Sequence, residues 1–415
     1  METPSVELLS PAGNYEKMCA AIRFGADAVY LAGKRFGMRA NADNFSEEEL
    51  FSAARFCHER GKKLYLTVNI TPRYYEFDDL ENYLRSLRGS GIDALIIADP
   101  AVLELAKECL PEAAIHISTQ AGVVSPRDAD FWHRQGASRV VLARELSFDD
   151  IAAIRRDCSR ELELEAFIHG SMCVSFSGRC LLSEHLIGRD ANRGMCAQPC
   201  RWNYRLYEIE EEKRPGLRFP VEESDRGSFI LSSKDLCMIE QIPALMESGV
   251  RSFKIEGRMK SAYYTAVTAN AYRMAIDAYL RDPAGYTYDP LWMDELCSVS
   301  HREYCRGYYL ADPRENAQLV TTPGYIREKA YLAIVESYDE KTRRAVLIQR
   351  NKLTEGERCE LLTPGRTGRQ MVAVGLQNEA GEPIPATPHP YMRFSMEMPF
   401  PVREGDILRG ANADR

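Results

Sequence analysis

The chain contains no apolar run approaching the roughly 18 residues that a membrane helix needs. Its first residues, METPSVELLSPAGNYEKM, show no basic segment followed by an apolar one, so the cytoplasm is the expected compartment and no membrane partner is expected. A strongly basic balance is also lacking. Lys and Arg number 53 against 61 Asp and Glu, a net charge of −8, which argues against a broad cationic nucleic-acid surface. HExxH, GxSxG and a credible triad spacing are absent, which leaves the common hydrolase devices without an anchor. No internal repeat or low-complexity tract stands out.

What is present reads as an ordinary globular protein of two or three domains, with 415 residues, 45% hydrophobic and 27% charged. The charge is uneven: from residue 321 onward there are 14 Lys and Arg against 13 Asp and Glu, which leaves −9 for the first 320 residues. Lys341, Arg343, Arg344, Arg350 and Lys352, with Tyr331 and Tyr338 nearby, are either an RNA-tracking stripe or a solvated face.

Short apolar runs alternate with amphipathic stretches, the pattern of βα units around a parallel sheet. Eight runs predict strands at Val6 to Ser10, Ala28 to Ala32, Lys63 to Asn69, Ala94 to Ala98, Ala114 to Ser118, Arg139 to Ala143, Leu162 to His169 and Ser252 to Glu256. Eight such strands suit a closed (β/α)₈ TIM-like barrel better than an open sheet, although a ninth run, Phe229 to Ser232, complicates the count. Helical stretches end before Gly25, Gly61 and Gly89, and Ser46 with Glu49 has the form of a capping box. The rhythm breaks after residue 170, where a long insertion is expected to carry a hairpin; six charged residues lie between Glu208 and Arg214, followed by Pro215 and Gly216.

The expected organisation is a barrel over 1–260, including a cysteine-rich insertion at 171–240. A helical connector over 261–320 and a small all-β, barrel-like domain over 321–415 follow, with strands such as Tyr331 to Ser337, Ala345 to Gln349 and Gln370 to Gly375.

Twelve cysteines are too few for a disulfide scaffold and many for a reducing compartment. Four of them, Cys173, Cys180, Cys196 and Cys200, fall within one short stretch directly after the seventh strand, where a barrel places its active face. Packed thiolates repel and need a cation, so this grouping points to metal ligands. Only Cys196 and Cys200 form a zinc-type knuckle, so the irregular spacing favours an iron-sulfur cluster over zinc. A cubane needs four ligands, and Cys200 or Cys237 can complete the set. The other seven cysteines read as buried thiols.

The stretch Glu165-Ala-Phe167-Ile-His-Gly170-Ser171-Met172-Cys173, continued by Gly178, Cys180, Leu182 and Ser183, resembles the signature of peptidase family U32. ELLSPAGN, ADAVYLAG, FGMRANADNFS, SSKDL and FKIEGRMKS extend the resemblance over nearly the whole chain. The resemblance implies oxygen-independent hydroxylation with a 4Fe–4S cluster. It is nearest to tRNA hydroxylation proteins that use prephenate to make 5-hydroxyuridine at the wobble position, with Cys237 as the fourth ligand and Cys200 in reserve. It also implies tRNA as partner and a paralogous family member as a second subunit. Alternatives are a collagenase-like peptidase, a hydroxylase of another RNA or of a ubiquinone precursor, and a non-catalytic subunit.

At the barrel mouth the strand ends supply Asn69, Asp99, Ser118, Gln120, Arg144, Glu145, His169, Lys254, Glu256 and Arg258. His169, Lys254 and Glu256 are the catalytic candidates. Arg39, Asn69, Gln120, Arg144 and Arg258 are candidates for substrate binding, with Arg39 and Arg258 suited to the two carboxylates of prephenate. The plainer reading makes His169 a core histidine, and makes Arg144 with Glu145, and Lys254 with Glu256 and Arg258, ion pairs that close the barrel end.

Overall fold

Each apolar run lies beside the next in space because a fully apolar strand must be covered on both faces, which a parallel barrel with outer helices achieves. In the computed structural model, which describes residues 6–40, 42–202, 223–224, 227–228, 233–310, 325–326 and 329–411, eight parallel strands close on themselves. They are β1 (Glu7–Pro11), β2 (Ala28–Ala32), β3 (Lys63–Val68), β4 (Ala94–Ile97), β5 (Ala114–Ile117), β6 (Arg139–Val141), β7 (Glu163–Ser171) and β8 (Ser252–Ile255). β8 pairs with β1 through Glu7↔Ser252 and with β7 through Glu165↔Ser252, which shuts the ring. All eight expected strands are therefore found, within two residues at each end. The run Phe229 to Ser232 and the charged segment from Glu208 to Gly216 lie outside the described residues. A short hairpin, Glu223–Ser224 with Gly227–Ser228, stands where one was expected.

Between strands run α1 (Tyr15–Arg23), α2 (Glu47–His58), α3 (Phe77–Ser86), α4 (Pro100–Cys109), α5 (Pro126–Arg134) and α6 (Phe148–Asp157). Side chains of Ser46, Asp99, Ser125 and Ser147 accept backbone N–H groups at the starts of α2, α4, α5 and α6, satisfying donors that a helix start leaves open. Both halves of the Ser46–Glu49 capping box are formed.

Two departures from simple βα order flank the insertion. The strand Asp235–Cys237 runs antiparallel to the end of β7, with Cys237 opposite His169, and Tyr304–Cys305 joins its other edge. At three and two residues these are too short to show a pattern in sequence. Gly170 has φ +106, and a Cβ there would stand 2.2 Å from the Glu256 carbonyl oxygen, so only glycine lets the end of β7 approach the β8 exit this closely.

The chain divides into two compact units, one of Met1–Tyr15, Asp27–Met259 and Arg302–Tyr325, the other of Glu16–Ala26, Lys260–His301 and Ile326–Arg415. The second unit holds α9 (Ala262–Arg281) and α10 (Leu291–Cys297), with α7 (Leu182–Ile187) and α8 (Ile242–Glu247) in the first. Its sheet contains β9 (Tyr331–Asp339), β10 (Arg344–Gln349), β11 (Arg358–Leu362), β12 (Arg369–Val372), β13 (Val374–Gln377), β14 (Arg393–Glu397) and β15 (Ile407–Gly410), in the order β12-β11-β15-β9-β10-β14-β13. The stretch Gln370 to Gly375, expected as one strand, is two. Only Ala373 separates β12 from β13, yet they form opposite edges, so the sheet must curl to bring its edges together. Leu332, Leu347, Leu361, Phe394 and Met396 fill the concave side. Among the described residues no helix is long and apolar enough to cross a membrane.

Candidate active site

The loops leaving the carboxyl ends of β2, β3, β5, β6, β7 and β8 surround one cavity, at the end where barrels of this kind carry their sites. Arg39, Asn69, Gln120, Arg144, Lys254, Glu256 and Arg258 line it, together with Cys173, Cys180, Cys196 and Cys200. Thus eleven of the thirteen residues named above as catalytic, substrate-binding or metal-ligand candidates line one cavity. His169 and Cys237 are not among the lining residues: they face each other across the β7 pairing, and the His169 ring packs on Tyr304 at 5.3 Å. Asp99 is also absent from the wall, because its carboxylate caps α4 by accepting from Ala101 N at 2.9 Å and Val102 N at 3.3 Å.

Backbone N–H groups two residues downstream are aimed at three of the sulfurs. Ser175 N stands 3.4 Å from Cys173 Sγ, Leu182 N 3.4 Å from Cys180 Sγ, and Gln198 N 3.3 Å from Cys196 Sγ. Amide donors stabilise thiolate charge, and three repeats of one turn fit thiolates that bind a soft metal centre. Cys200 does not share that turn, since Trp202 N bonds Pro199 O instead. Burial raises the Cys200 thiol, and the nearby Cys173, Cys196 and Cys180 add to the effect. Among the described residues no three His, Cys, Asp or Glu side chains are grouped so that they would hold a metal ion.

The surroundings fix the loop. Glu145 accepts from Ser177 N at 2.6 Å and from Ser177 Oγ at 2.9 Å, holding Ser177 at φ +45 between two of the cysteines. Asn192 clamps Cys180, accepting from its N at 3.3 Å and donating to its O at 3.2 Å. Buried Ser183 accepts from Ala197 N at 3.1 Å beside Cys196. Phe36, Arg39, Asn44, Ser177 and Gln198 all have positive φ in these loops, a concentration of backbone strain of the kind found at functional sites.

In the same cavity Glu256 gathers cations. Its carboxylate lies 3.4 Å from Arg39 and 3.9 Å from Arg144, and accepts from the Tyr30 hydroxyl at 3.0 Å. Burial alone would raise the Glu256 carboxyl, but Arg39, Arg144 and Arg258 outweigh it and hold the group below the usual carboxylate range. Arg258 donates to the Met38 carbonyl, and burial brings it down to about 10. Arg144 lies over the Phe167 ring at 3.8 Å and donates to Ser171 O at 2.6 Å. Arg39, by contrast, is 36% exposed. Lys254 lies deeper, 2.6 Å from fully buried Glu165. Asn69 accepts from Met38 N at 3.2 Å, and the Gln120 carbonyl accepts from Arg179 at 2.7 Å, tying both to neighbouring loops.

Tyr30 was not anticipated, because in AVYLA it reads as another core residue of β2; the only signal was strand alternation, which turns every second side chain inward. Glu145 was expected as an ion-pair partner of Arg144, and instead binds Ser177.

A closed parallel barrel with a cysteine-bearing loop after β7 and an arginine-lined cavity at its carboxyl-end mouth defines the class as a TIM-like barrel. The chain belongs to peptidase family U32: the profile of "Peptidase family U32" matches residues 13–319, and that of "Peptidase family U32 C-terminal domain" matches residues 327–409. It is similar to the "tRNA hydroxylation protein P1" of Bacillus subtilis (strain 168), 36% identical over 98% of this chain and 95% of that one. The "tRNA hydroxylation protein P" of Escherichia coli (strain K12) is 34% identical over 92% and 91%. The "Collagenase" of Porphyromonas gingivalis (strain ATCC BAA-308 / W83) is 34% identical over 80% of each.

Proposed function

We propose that this chain is a tRNA hydroxylase that converts a wobble-position uridine to 5-hydroxyuridine, with prephenate as oxygen donor and a 4Fe–4S cluster held in the cavity. One observation carries the reading: three amide-supported cysteines and an arginine-rich anion pocket line the same cavity. Relatives similar over nearly the whole chain are named tRNA hydroxylation proteins, which supports the substrate class.

Cys173, Cys180 and Cys196 are the ligands the turn geometry supports. Cys237 is taken as the fourth, as the family resemblance implies; Cys200 is the second reading, favoured by its place on the cavity wall. When bound, such a cluster supplies electron-transfer or Lewis-acid chemistry beside the substrate.

The chain's own residues bind and orient. Arg39 is open enough to take a carboxylate in a bidentate fork, while Arg144 and Arg258 supply fixed positive charge from the wall. Glu256 is held ionised and so is a weak base; its main work is to aim Arg39 and Arg144, with Tyr30 fastened to the same carboxylate. Lys254 contributes charge from inside the barrel, neutralised by Glu165.

The collagenase relative keeps a peptidase as a competing reading. Among the described residues no histidine lines the cavity, so a cysteine–histidine nucleophile has no base beside it among them.

Deleting the gene in a host without a second family member, then measuring tRNA nucleosides by mass spectrometry, tests the proposal. Loss of 5-hydroxyuridine-derived nucleosides is expected, restored by the wild type and not by Cys196→Ser. Unchanged nucleosides would overturn it. Restoration only when a paralogue is co-expressed would assign a two-subunit enzyme.

A further inference from the structure

The loop between β3 and α3 holds two large rings in solvent. Tyr74 is 89% exposed and Tyr75 66%, and their centroids stand 5.3 Å apart with the planes at 82°. Among the described residues Tyr74 is the most exposed large hydrophobic side chain. A single exposed apolar residue needs no explanation, but these two stand on a fastened pedestal. Glu76 accepts from Arg73 N at 2.6 Å and from Arg193 at 2.6 Å, Arg193 also donates to Thr71 O at 3.2 Å, and Arg73 pairs with Asp190 at 3.4 Å. Asp190 and Arg193 belong to the cysteine-bearing insertion, and the next residue, Gly194, lines the cavity. The loop that carries the rings is thus tied to the insertion that lines the cavity.

The charge of this rim differs from that of the chain. Between Ser171 and Trp202 there are four arginines against two acids, between Gly33 and Phe45 three basic residues against one acid, and in the rings' own loop, Asn69 to Asp79, Arg73 stands against Glu76, Asp78 and Asp79; the three segments together carry eight basic and six acidic residues, on a chain of net charge −8. Exposed aromatic rings next to two loops with a positive excess suit unpaired nucleotides, which offer a π face for stacking and phosphate for the cations. A protein partner would be served by the apolar rim alone and would not call for the positive excess.

We propose that Tyr74 and Tyr75 form a stacking platform for unpaired nucleotides of an RNA loop, next to the base presented to the cavity. The choice of RNA as the ligand rests on the hydroxylase reading; the platform itself rests on the rim. It places the principal RNA contact on the barrel, rather than on the basic run from Lys341 to Lys352.

The test is binding of the full chain to a fluorescein-labelled RNA hairpin with an unpaired, uridine-containing loop, against a blunt RNA duplex, by anisotropy. Tyr74→Ala is expected to weaken hairpin binding about tenfold, and Tyr75→Ala similarly, from the usual worth of a base–aromatic stack. Tyr74→Phe, which keeps the ring, should bind as the wild type does, and duplex binding should be unchanged in all variants. Equal hairpin binding by the Tyr74→Ala/Tyr75→Ala double variant, or equal loss on the duplex, would overturn the platform. So would a wild type that ignores the hairpin and forms a stable complex with another protein through this rim. Unaltered tRNA nucleosides in the deletion strain, with hairpin binding still dependent on the rings, would instead overturn the hydroxylase reading and leave the platform standing.

Discussion

Two charged clusters lie one above the other in the barrel, and they are built on opposite rules. In the inner one Glu165 meets Lys254 at 2.6 Å and Arg139 at 3.1 Å, and Arg139 reaches on to Glu7 and Glu163, both at 2.6 Å. Tyr65 and Ser252 complete the Glu7 carboxylate at 2.6 and 2.9 Å. Every cation there has a carboxylate, with three carboxylates against two cations, so the cluster has no positive charge to offer a ligand. In the outer cluster one carboxylate, Glu256, answers to Arg39, Arg144 and Arg258. An anionic ligand would offset that positive excess, and the proposed binding role of this cluster rests on it.

The comparison breaks first if the inner cluster proves dispensable. Glu165→Ala leaves Lys254 and Arg139 buried without their shared partner, and a loss of about 3–5 kcal/mol is expected in urea unfolding; a loss below 1 kcal/mol would contradict a balanced network. In the outer cluster the opposite is expected. Arg39→Ala should cost roughly tenfold or more in prephenate affinity by calorimetry, in keeping with the worth of a charge-assisted bond, with little change in melting temperature because its side chain is 36% exposed.

Glu256 provides a finer probe through pH. Its carboxyl lies below the ordinary value of 4.5 when folded, so its contribution to stability is complete above that pH and fades as the pH falls through the lower folded value. Glu256→Gln should therefore be less stable than the wild type at neutral pH, with the two urea midpoints converging under acid. Parallel curves would show that the carboxylate is not held by its arginines. The smallest effect is expected far from both clusters: Ser147→Ala removes the cap of α6 and should cost about 1 kcal/mol with no change in ligand binding.

The sequence made the barrel legible because each strand was a separate apolar run and the capping residues marked the helix starts, as with Ser46 and Glu49. Cys173, Cys180, Cys196 and Cys200, close in sequence, line one cavity. What the sequence could not convey was depth. Lys254 and Glu256 are two residues apart on one strand exit, yet one belongs to the inner cluster and the other to the outer, and only packing separates them. Asp99 was misplaced at the mouth although Asp before Pro100 is itself a helix-start signal. His169 was read either as an acid/base at the mouth or as a core histidine; the strand Asp235–Cys237, too short to foresee, pairs with β7 there, and His169 is buried off the cavity wall. Strand β12 merged with β13 in the reading because one residue separates two sheet edges.

The central claim is that the cavity's cysteines carry an iron-sulfur cluster, and anaerobic purification with iron, sulfide and zinc analysis tests it most directly. About four irons and four sulfides per chain are expected, as a cubane requires, with a brown colour lost in Cys173→Ser, Cys180→Ser and Cys196→Ser. Comparing Cys237→Ser with Cys200→Ser then assigns the fourth ligand. A colourless protein holding zinc alone, or full iron content in the triple cysteine variant, would contradict the claim.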